Sequence, residues 1–409
     1  MSTKSFFVRV VCLAAVANSA AGGWKRLSIK RLLVGIVCLA ALALPRPADA
    51  LERVTLRRDG REIEIAGRLL LTAEDGGLLV QTPDGTLWTV EPADLVRHAS
   101  DDVPFAPLSA EEMSAKMLGE LPPGFKALPP TAHYQIFYNT SRPYADWCAA
   151  LFEQLYRAFT NYWTQRGFEL SEPEFPLTAV VFADRRSYRE FSRPELGEAA
   201  DAIIAYYSLA SNRMVLYDLT GLEALGMPDS RNTSAQIKRI LAQPGAAHAV
   251  STIVHEATHQ IAFNCGLHVR YSDCPLWFTE GIAVYFETPN LSSDRGWRNI
   301  GAINRPRLEQ FQRYLRKRPA DSLEKLIATD ERLRDTKQGL DAYAEAWALT
   351  YFLLRQYPQQ YVKYLEGLSN KKPMVWDTPE ARLAEFRQAF GDDLARLDQD
   401  FIRYMLRVK

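Results

Sequence analysis

The stretch HEATHQIAFN, residues 255–264, continues an apolar helical pattern that begins at residue 246. On such a helix His255 and His259 are one turn apart and point the same way, with Cβ atoms about 5–6 Å apart. Both imidazoles can then reach one Zn²⁺ at roughly 2.0–2.1 Å. Glu256 lies about 100° round the helix, where it can reach a water on the metal but cannot readily join the ligands. The stretch therefore predicts a zinc site that activates water, with Glu256 as general base.

Coincidence is a weak explanation of this spacing. In a chain of 409 residues with six histidines, a chance H-E-x-x-H is expected on the order of 0.005 times. An ordinary helix that carries two imidazoles is therefore a minor alternative. A metal ion that is bound but chemically idle is a separate alternative, because structural zinc sites use the same ligand types.

A third protein ligand is needed, and Glu280 is the strongest candidate. It lies 21 residues after His259, near the start of a short helix predicted over residues 279–287. A turn between two antiparallel helices can bring its carboxylate over the two histidines. Gly281 beside it would let two helices approach closely. The alternative for Glu280 is an acidic residue favoured by the dipole at a helix N-terminus.

Other residues near the motif are weaker ligand candidates. The metzincin pattern would place glycine at 262 and histidine at 265, but the chain has Ala262 and Cys265 there. His268 lies beyond Gly266, where the helix is expected to stop, and Asp273 follows in the same loop. Both are retained as lesser alternatives to Glu280.

The pair HEATHQIAFN and CPLWFTEGIAVYFE (274–287) resembles the gluzincin-type peptidases of the MA clan. With PLTAVVFADRRSY (176–188) and YAEAWALTYFLL (343–354), it resembles more narrowly a bacterial family of exported proteins labelled as a domain of unknown function. This resemblance covers roughly residues 133–370. It implies a zincin-like catalytic domain in which His255, His259 and Glu280 bind zinc and Glu256 is the general base. One turn after Glu280, where many gluzincins have a further acidic residue, Val284 is apolar, so the groups that orient the imidazoles are unassigned.

The resemblance also implies two further parts of the site. Tyr343 is the candidate donor to the developing oxyanion, because related peptidases often supply a tyrosine from a helix downstream of the third ligand. The alternative is a core position, since Tyr343, Trp347 and Leu354 share one helical stripe. The strand RMVLYDL (213–219) is the candidate edge strand that pairs with a substrate backbone. An interior strand is the alternative for that segment.

Residues 51–100 predict a small all-β unit. Five short strands, RVTLR, REIEI, RLLLT, LLVQT and TLWTV, are separated by turns rich in Asp and Gly. A curled sheet or an SH3-like barrel is expected, with packing or docking to a cell-envelope partner as its role. Residues 101–132 are expected to be a linker with one short helix around 110–118, because LPPGF and LPP break regular structure.

Residues 133–409 predict one large α+β domain. Strands are expected at 133–139, 176–184 and 212–220, with a helix at 144–167. The remainder is mostly helical, with helices expected at 246–264, 279–287, 306–316, 340–356, 378–389 and 391–407. The fold class is therefore α+β, a mixed sheet followed by a mostly helical half, and the resemblance makes it zincin-like.

Residues 1–50 are expected to be a signal peptide with an extended n-region. Four basic residues between positions 25 and 31 precede the apolar core LLVGIVCLAALAL (32–44), which is too short to span a bilayer comfortably. Ala48-Asp49-Ala50 fits a cleavage site, and cleavage is expected after Ala50. The protein is then periplasmic or secreted, with an uncleaved membrane anchor as the alternative.

Charge and cysteine content add two expectations. Beyond residue 50 the chain has 42 basic and 48 acidic residues, a net charge of −6, which does not suggest nucleic-acid binding. Of the five cysteines, Cys12 and Cys38 fall in the signal segment. In an exported protein Cys265 and Cys274 could pair across the eight residues between them. Cys148 is expected to be buried on a helix.

Together these features predict an exported zinc metallopeptidase acting on a peptide or protein substrate. Glu256 would take a proton from a zinc-bound water, which would attack the peptide carbonyl. Two alternatives use the same residues differently. One is a cell-envelope binding or scaffold protein with a structural or relict zinc site. The other is an amidase that acts on cell-wall peptides. No feature of the sequence specifies an oligomeric state.

Overall fold

A computed structural model describes residues 50–221, 233–243, 246–288 and 300–409 of the chain. These residues form two compact units, one ending at Pro107 and the other beginning at Leu108. The predicted signal peptide, with Cys12 and Cys38, lies outside the described residues except for Ala50, which begins the first strand. Among the described helices, none combines the length and the apolar character that a bilayer crossing requires.

The first unit is a five-stranded antiparallel sheet in the order β4-β3-β2-β1-β5. Its strands are β1 Ala50–Arg58, β2 Arg61–Thr72, β3 Leu78–Gln81, β4 Leu87–Val90 and β5 Leu95–Pro104. Its core is formed by Val54, Leu56, Ile65, Leu78, Val80 and Val90. None of the pairings between the described strands joins β4 to β5, so these pairings form a sheet rather than a closed barrel.

Two details of this sheet differ from the sequence prediction. REIEI and RLLLT, predicted as separate strands, form the single long β2, whose register against β3 is irregular between Leu69 and Leu71. The alternation pattern misses β5 because seven of its ten residues are exposed and half of the ten are polar. β5 pairs with β1, where the buried Glu52 carboxylate binds His98 Nε2 at 2.9 Å and accepts a hydrogen bond from Ser100 at 3.1 Å.

The second unit contains a mixed five-stranded sheet in the order β6-β7-β8-β10-β9. Its strands are β6 Lys126–Ala127, β7 Tyr134–Tyr138, β8 Leu177–Phe182, β9 Ala205–Tyr207 and β10 Arg213–Tyr217. β7, β8 and β10 are parallel, whereas β6 and β9 run antiparallel to their neighbours. Because β10 lies between β8 and β9, the prediction of an edge strand at 213–219 is wrong and the interior alternative is correct. The edge strand on this side of the sheet is β9, which is too short for its sequence pattern to predict.

The helices confirm the α+β class and the mostly helical C-terminal half. α1 Ala110–Glu120 lies where a helix was expected within residues 101–132, and β6 from the same segment joins the second sheet. The others are α2 Arg142–Thr164, α3 Arg185–Leu196, α4 Ser234–Leu241, α5 Ala247–Asn264, α6 Leu276–Phe286, α7 Arg305–Leu315, α8 Ser322–Ala328, α9 Glu331–Arg334, α10 Gly339–Gln356, α11 Pro358–Ser369, α12 Pro379–Phe390 and α13 Leu394–Met405. The sequence pattern misses α3, α4, α8, α9 and α11.

Two buried helices, α5 and α6, determine where the candidate site lies. α5 packs on the second sheet, and Gln260 donates from Nε2 to the carbonyl oxygens of Thr178 at 2.9 Å and Asn212 at 3.2 Å. α6 packs against both α5 and α10. At Gly281 an added Cβ would lie 2.1 Å from Thr350 Oγ1 on α10. The predicted close approach at Gly281 is present, but its partner is α10 and not the helix that carries the histidines.

The three described cysteines are free, and the expected Cys265–Cys274 disulfide is therefore wrong. Cys265 ends α5 in buried surroundings beside Tyr156 of α2, and burial raises the pKa of its thiol to about 12. Cys274 instead lies with its Sγ 3.5 Å from Nδ1 of His268. Cys148 is buried on α2, as predicted.

Replacing Gly281 by alanine should destabilise the second unit. The added methyl group would overlap Thr350 Oγ1 and lie 2.9 Å from the Ala346 carbonyl oxygen, so α6 and α10 would have to separate. Such overpacking costs about 1–3 kcal/mol, measurable as a lower free energy of unfolding in denaturant titration. Gly119→Ala on α1 is the matched control, because its added methyl group meets no atom of the described residues within 4 Å. Equal stability of the two variants would contradict this account of α6 packing.

Candidate metal centre

His255 and His259 lie on the same face of α5, as the sequence predicts. Their Nε2 atoms are 3.1 Å apart, and their ring planes are inclined at 75° with centroids 4.7 Å apart. Both side chains are buried. The two rings therefore converge on one point at their Nε2 atoms and do not stack on each other.

Glu280 brings its carboxylate to the same point from α6. Its Oε2 is 3.1 Å from His255 Nε2, and its Oε1 is 3.5 Å from His259 Nε2. Ligand atoms of the three residues all lie within 4.8 Å of one another, and each residue is buried. The structure thus brings together the three predicted ligands in a group that could bind a metal ion.

The spacing of these atoms suits a single small cation. A tetrahedral ion with ligand distances of roughly 2.0–2.1 Å has its ligand atoms about 3.3 Å apart. The two Nε2 atoms are 3.1 Å apart, and each lies 3.1 or 3.5 Å from a different oxygen of the Glu280 carboxylate, close to that value. Two neutral imidazoles and one carboxylate are also a common ligand set for divalent transition metals. The residues present therefore fit a metal ion.

Glu287 is a part of the site that the sequence analysis missed. It follows the end of α6, and its Oε1 lies 2.7 Å from His255 Nδ1, while its Oε2 accepts a hydrogen bond from Asn304 Nδ2 at 3.3 Å. A proton held on Nδ1 by this carboxylate leaves Nε2 free as a ligand. Val284, the position considered in the sequence, is buried and apolar. The available signal was spacing, since Glu287 lies seven residues after Glu280 on the same helical face.

The buried charges shift the pKa values of the three residues. Burial disfavours the imidazolium of His255, but hydrogen bonds with Glu280 and Glu287 outweigh it and raise its pKa to about 10. Burial lowers the pKa of His259. Burial alone would raise the pKa of Glu280, but the two neighbouring histidines outweigh burial, so the pKa of Glu280 is lowered. Without a metal ion the group therefore holds a proton on His255 opposite an ionised Glu280.

Glu256 is buried beside the three-residue group but is not part of it. Its Oε2 accepts a hydrogen bond from the backbone N–H of Tyr207 on β9 at 2.9 Å. Its Oε1 is buried without a hydrogen-bond partner among the described residues. Burial raises the pKa of Glu256 to about 8. One carboxylate oxygen is thus fixed by the sheet edge and the other remains able to accept a proton.

The lesser ligand candidates have other roles. His268 lies outside the group, with Nδ1 near Cys274 and its ring packed beside Phe263 and Phe278. Burial lowers the pKa of His268 to about 3, which keeps it neutral. Asp273 forms a buried ion pair with Arg382, whose Nε donates to Oδ2 at 3.0 Å.

Tyr343 is buried on α10, near the Glu287 side of the site. The guanidinium carbon of Arg307 lies 5.7 Å from the centre of its ring, and Arg307 Nη2 is 4.0 Å from Glu287 Oε1. These contacts connect Tyr343 to His255 through two intervening side chains. Its role as an oxyanion donor stays a prediction.

Comparison with known proteins adds a family match without an activity. Residues 249–375 match the family described as Protein of unknown function (DUF1570). The matched segment contains both histidines, Glu256, Glu280 and Tyr343. No curated protein matches the chain. The part of the sequence resemblance that named a domain of unknown function is therefore supported.

Metal analysis of purified protein tests the ligand set. We expect one divalent metal ion per chain in the wild type and loss of that ion in His255→Ala and in Glu280→Ala, because each supplies a converging ligand atom. His268→Gln is the matched control, a buried histidine outside the group, and it should keep the ion. Retention of metal by Glu280→Ala at wild-type affinity would show that the third ligand lies elsewhere.

Metal binding should release a proton. His255 is protonated at pH 7 in the metal-free protein, since its pKa is raised to about 10, and it must be neutral to bind. Metal affinity should therefore rise about tenfold per pH unit between roughly pH 6 and 9. Calorimetry in buffers of different ionisation heat should show about one proton released per ion at pH 7. Glu287→Gln should lower that release, and a pH-independent affinity would contradict the assignment.

Proposed function

We propose that this protein is an exported zinc-dependent peptidase that hydrolyses peptide bonds in peptide or protein substrates. The observation that carries the proposal is the position of Glu256 beside a convergent group of His255, His259 and Glu280. Glu256 is a buried carboxylate, and one of its oxygens has no hydrogen-bond partner among the described residues. A purely structural metal site would not require this additional carboxylate, because burying it costs free energy.

The number and type of ligands support a catalytic zinc ion. Structural zinc sites have four protein ligands, whereas catalytic ones have three and keep one position for water or substrate. The group found among the described residues has three members, two nitrogens and one oxygen. Similarity to gluzincin-type peptidases, in which the third ligand is a glutamate on the following helix, supports the same assignment and a zincin-like fold for the second unit.

The side chains divide the work of hydrolysis. When bound, zinc would supply Lewis acidity, which makes water a nucleophile near neutral pH and polarises a carbonyl. Glu256 would accept a proton from the attacking water through Oε1, while the Tyr207 N–H holds Oε2 in place. It can then return that proton to the leaving amine. Glu287 holds the His255 ring in the orientation that presents Nε2.

The edge of the second sheet beside the candidate site is our proposed position for the substrate backbone. β9 is the edge strand, it packs against α5, and its Tyr207 contacts Glu256 directly. A peptide added beside β9 would therefore lie next to the proposed general base. Strand addition gives affinity through main-chain hydrogen bonds, whatever the side chains of the substrate. We therefore assign the pairing with the substrate backbone to β9 and not to residues 213–219.

Export is supported by the sequence of the first 50 residues. A basic segment, the apolar core at 32–44 and the Ala48-Asp49-Ala50 pattern occur in the order that signal peptides require. A substrate outside the cytoplasm follows from that location.

Glu256→Gln should separate metal binding from catalysis. The variant keeps the shape of the side chain but cannot accept the proton, so zinc content should stay at the wild-type level while peptide hydrolysis falls about 10²- to 10⁴-fold. Product formation from a peptide library, followed by mass spectrometry, measures this. Glu190→Gln is the matched control, an exposed glutamate on α3, and should have wild-type activity.

Three outcomes would count against the proposal. Full activity in Glu256→Gln would remove Glu256 from the mechanism. Failure of the zinc-loaded wild type to cleave any peptide, with activity on cell-wall peptides instead, would favour the amidase alternative. Failure on both substrate classes would favour a structural zinc site.

A further inference from the structure

A pocket borders the candidate metal centre on the side of His259. His259 forms part of its wall, and the remaining wall comes from the end of α5, the loop that leads into α6 and the start of α6, together with Leu209, Asp330, Arg334 and Trp376. The empty space in and around it, including the open mouth and adjoining solvent, is about 510 Å³. Anything that fills this pocket therefore contacts a metal-ligating side chain.

The inner surface of the pocket is apolar. Leu209, Phe263, Val269 and Leu276 are among the residues that line it. Leu209 precedes β10, Phe263 is on α5, Val269 lies in the loop between α5 and α6, and Leu276 begins α6. Burial of apolar surface here would contribute favourably to binding, whereas a charged occupant would lose its hydration.

The charged residues at the pocket do not change this preference. Asp330 Oδ1 accepts a hydrogen bond from the Leu276 N–H at 3.0 Å and pairs with Arg382 at 2.9 Å, while its Oδ2 is 3.3 Å from Arg334. Two guanidinium groups thus offset its negative charge, and its Oδ1 caps the start of α6. Asp330 is not available to recognise a basic side chain.

One side of the pocket mouth is an exposed indole. Trp376 lines the pocket, yet 47% of its surface is exposed. The segment before it is fixed to the opposite loop, because the Met374 N–H donates to the Tyr271 carbonyl oxygen at 2.7 Å. Both residues have a left-handed backbone, with φ of 60°, which is uncommon for side chains of this size. Backbone strain of this kind persists where the surrounding structure holds it, often at ligand sites.

We infer that this pocket receives a leucine- or phenylalanine-sized apolar side chain of the substrate, next to the bond that is hydrolysed, with Trp376 closing over it. The inference rests on the proposed function, because it names the substrate class of that same site. It follows from three observations: an apolar interior, a metal ligand in the wall, and an exposed aromatic ring at the mouth.

Cleavage of a diverse peptide library by the zinc-loaded protein gives the first test. One position beside the cleaved bond should prefer Leu, Phe or Met over Gly and Asp by about 10- to 100-fold, the range expected for burying one such side chain. Trp376→Ala should reduce that preference several-fold. Val375→Ala is the matched control, because Val375 is the exposed neighbour and does not line the pocket. Val269→Phe, which narrows the pocket, should shift the preference towards Ala and Gly.

A second test does not depend on hydrolysis. Amino-acid hydroxamates all chelate zinc through the same hydroxamate group. Differences in their affinity therefore report on the side chain alone. Calorimetry on zinc-loaded Glu256→Gln should show leucine and phenylalanine hydroxamates binding about tenfold or more tightly than the glycine and aspartate compounds. Trp376→Ala introduced into this protein should reduce the difference, and Val375→Ala should not.

The two tests separate the failure of each claim. Side-chain-selective hydroxamate binding without any peptide cleavage would support the pocket and overturn the peptidase proposal. Equal binding of all four hydroxamates, or a cleavage preference for acidic or basic residues that Trp376→Ala leaves unchanged, would overturn the pocket assignment even if the protein is a peptidase.

Discussion

The structure depends on a carboxylate, Glu280, buried against two imidazoles where water cannot solvate it. An unpaired buried carboxylate would be strongly destabilising, and pairing with His255 and His259 makes its burial tolerable. The same arrangement concentrates ligand atoms at tetrahedral spacing. A metal ion would replace the proton that His255 holds in its absence, and Glu287 would still orient the ring from behind.

Contacts elsewhere in the second unit fix the positions of the two site helices, α5 and α6. α5 is bound to the sheet through Gln260, and α6 is set against α10 by the close contact at Gly281. The start of α6 is capped from a distant segment by Asp330, which Arg382 holds in place. Arg382 also pairs with Asp273 in the loop between the site helices. The loop that leads to Glu280 is therefore fixed by charges brought in from α12 and from the residues before α9.

The sequence predicts the parts of this site that depend on helical periodicity. One turn of α5 sets the histidine pair and excludes Glu256 from the ligands, and the helix predicted over 279–287 makes Glu280, near its start, the strongest candidate for the third ligand. Helical periodicity does not predict contacts between segments that are distant in the sequence. The Tyr207 N–H on Glu256 comes from a three-residue strand with no pattern of its own, and Glu287 acts only because α6 folds back on α5. The Cys265–Cys274 pairing was wrong because spacing alone does not show that each thiol packs against a different neighbour.

The central claim is that His255, His259 and Glu280 together hold one metal ion with a coordination position left for a water molecule or substrate. Anomalous diffraction at the zinc absorption edge, from crystals of the metal-loaded protein, tests it directly. The account predicts one strong peak within about 2.0–2.2 Å of His255 Nε2, His259 Nε2 and a Glu280 carboxylate oxygen, and no fourth protein ligand. A peak at another site, or an ion whose fourth ligand is a protein side chain, would contradict it.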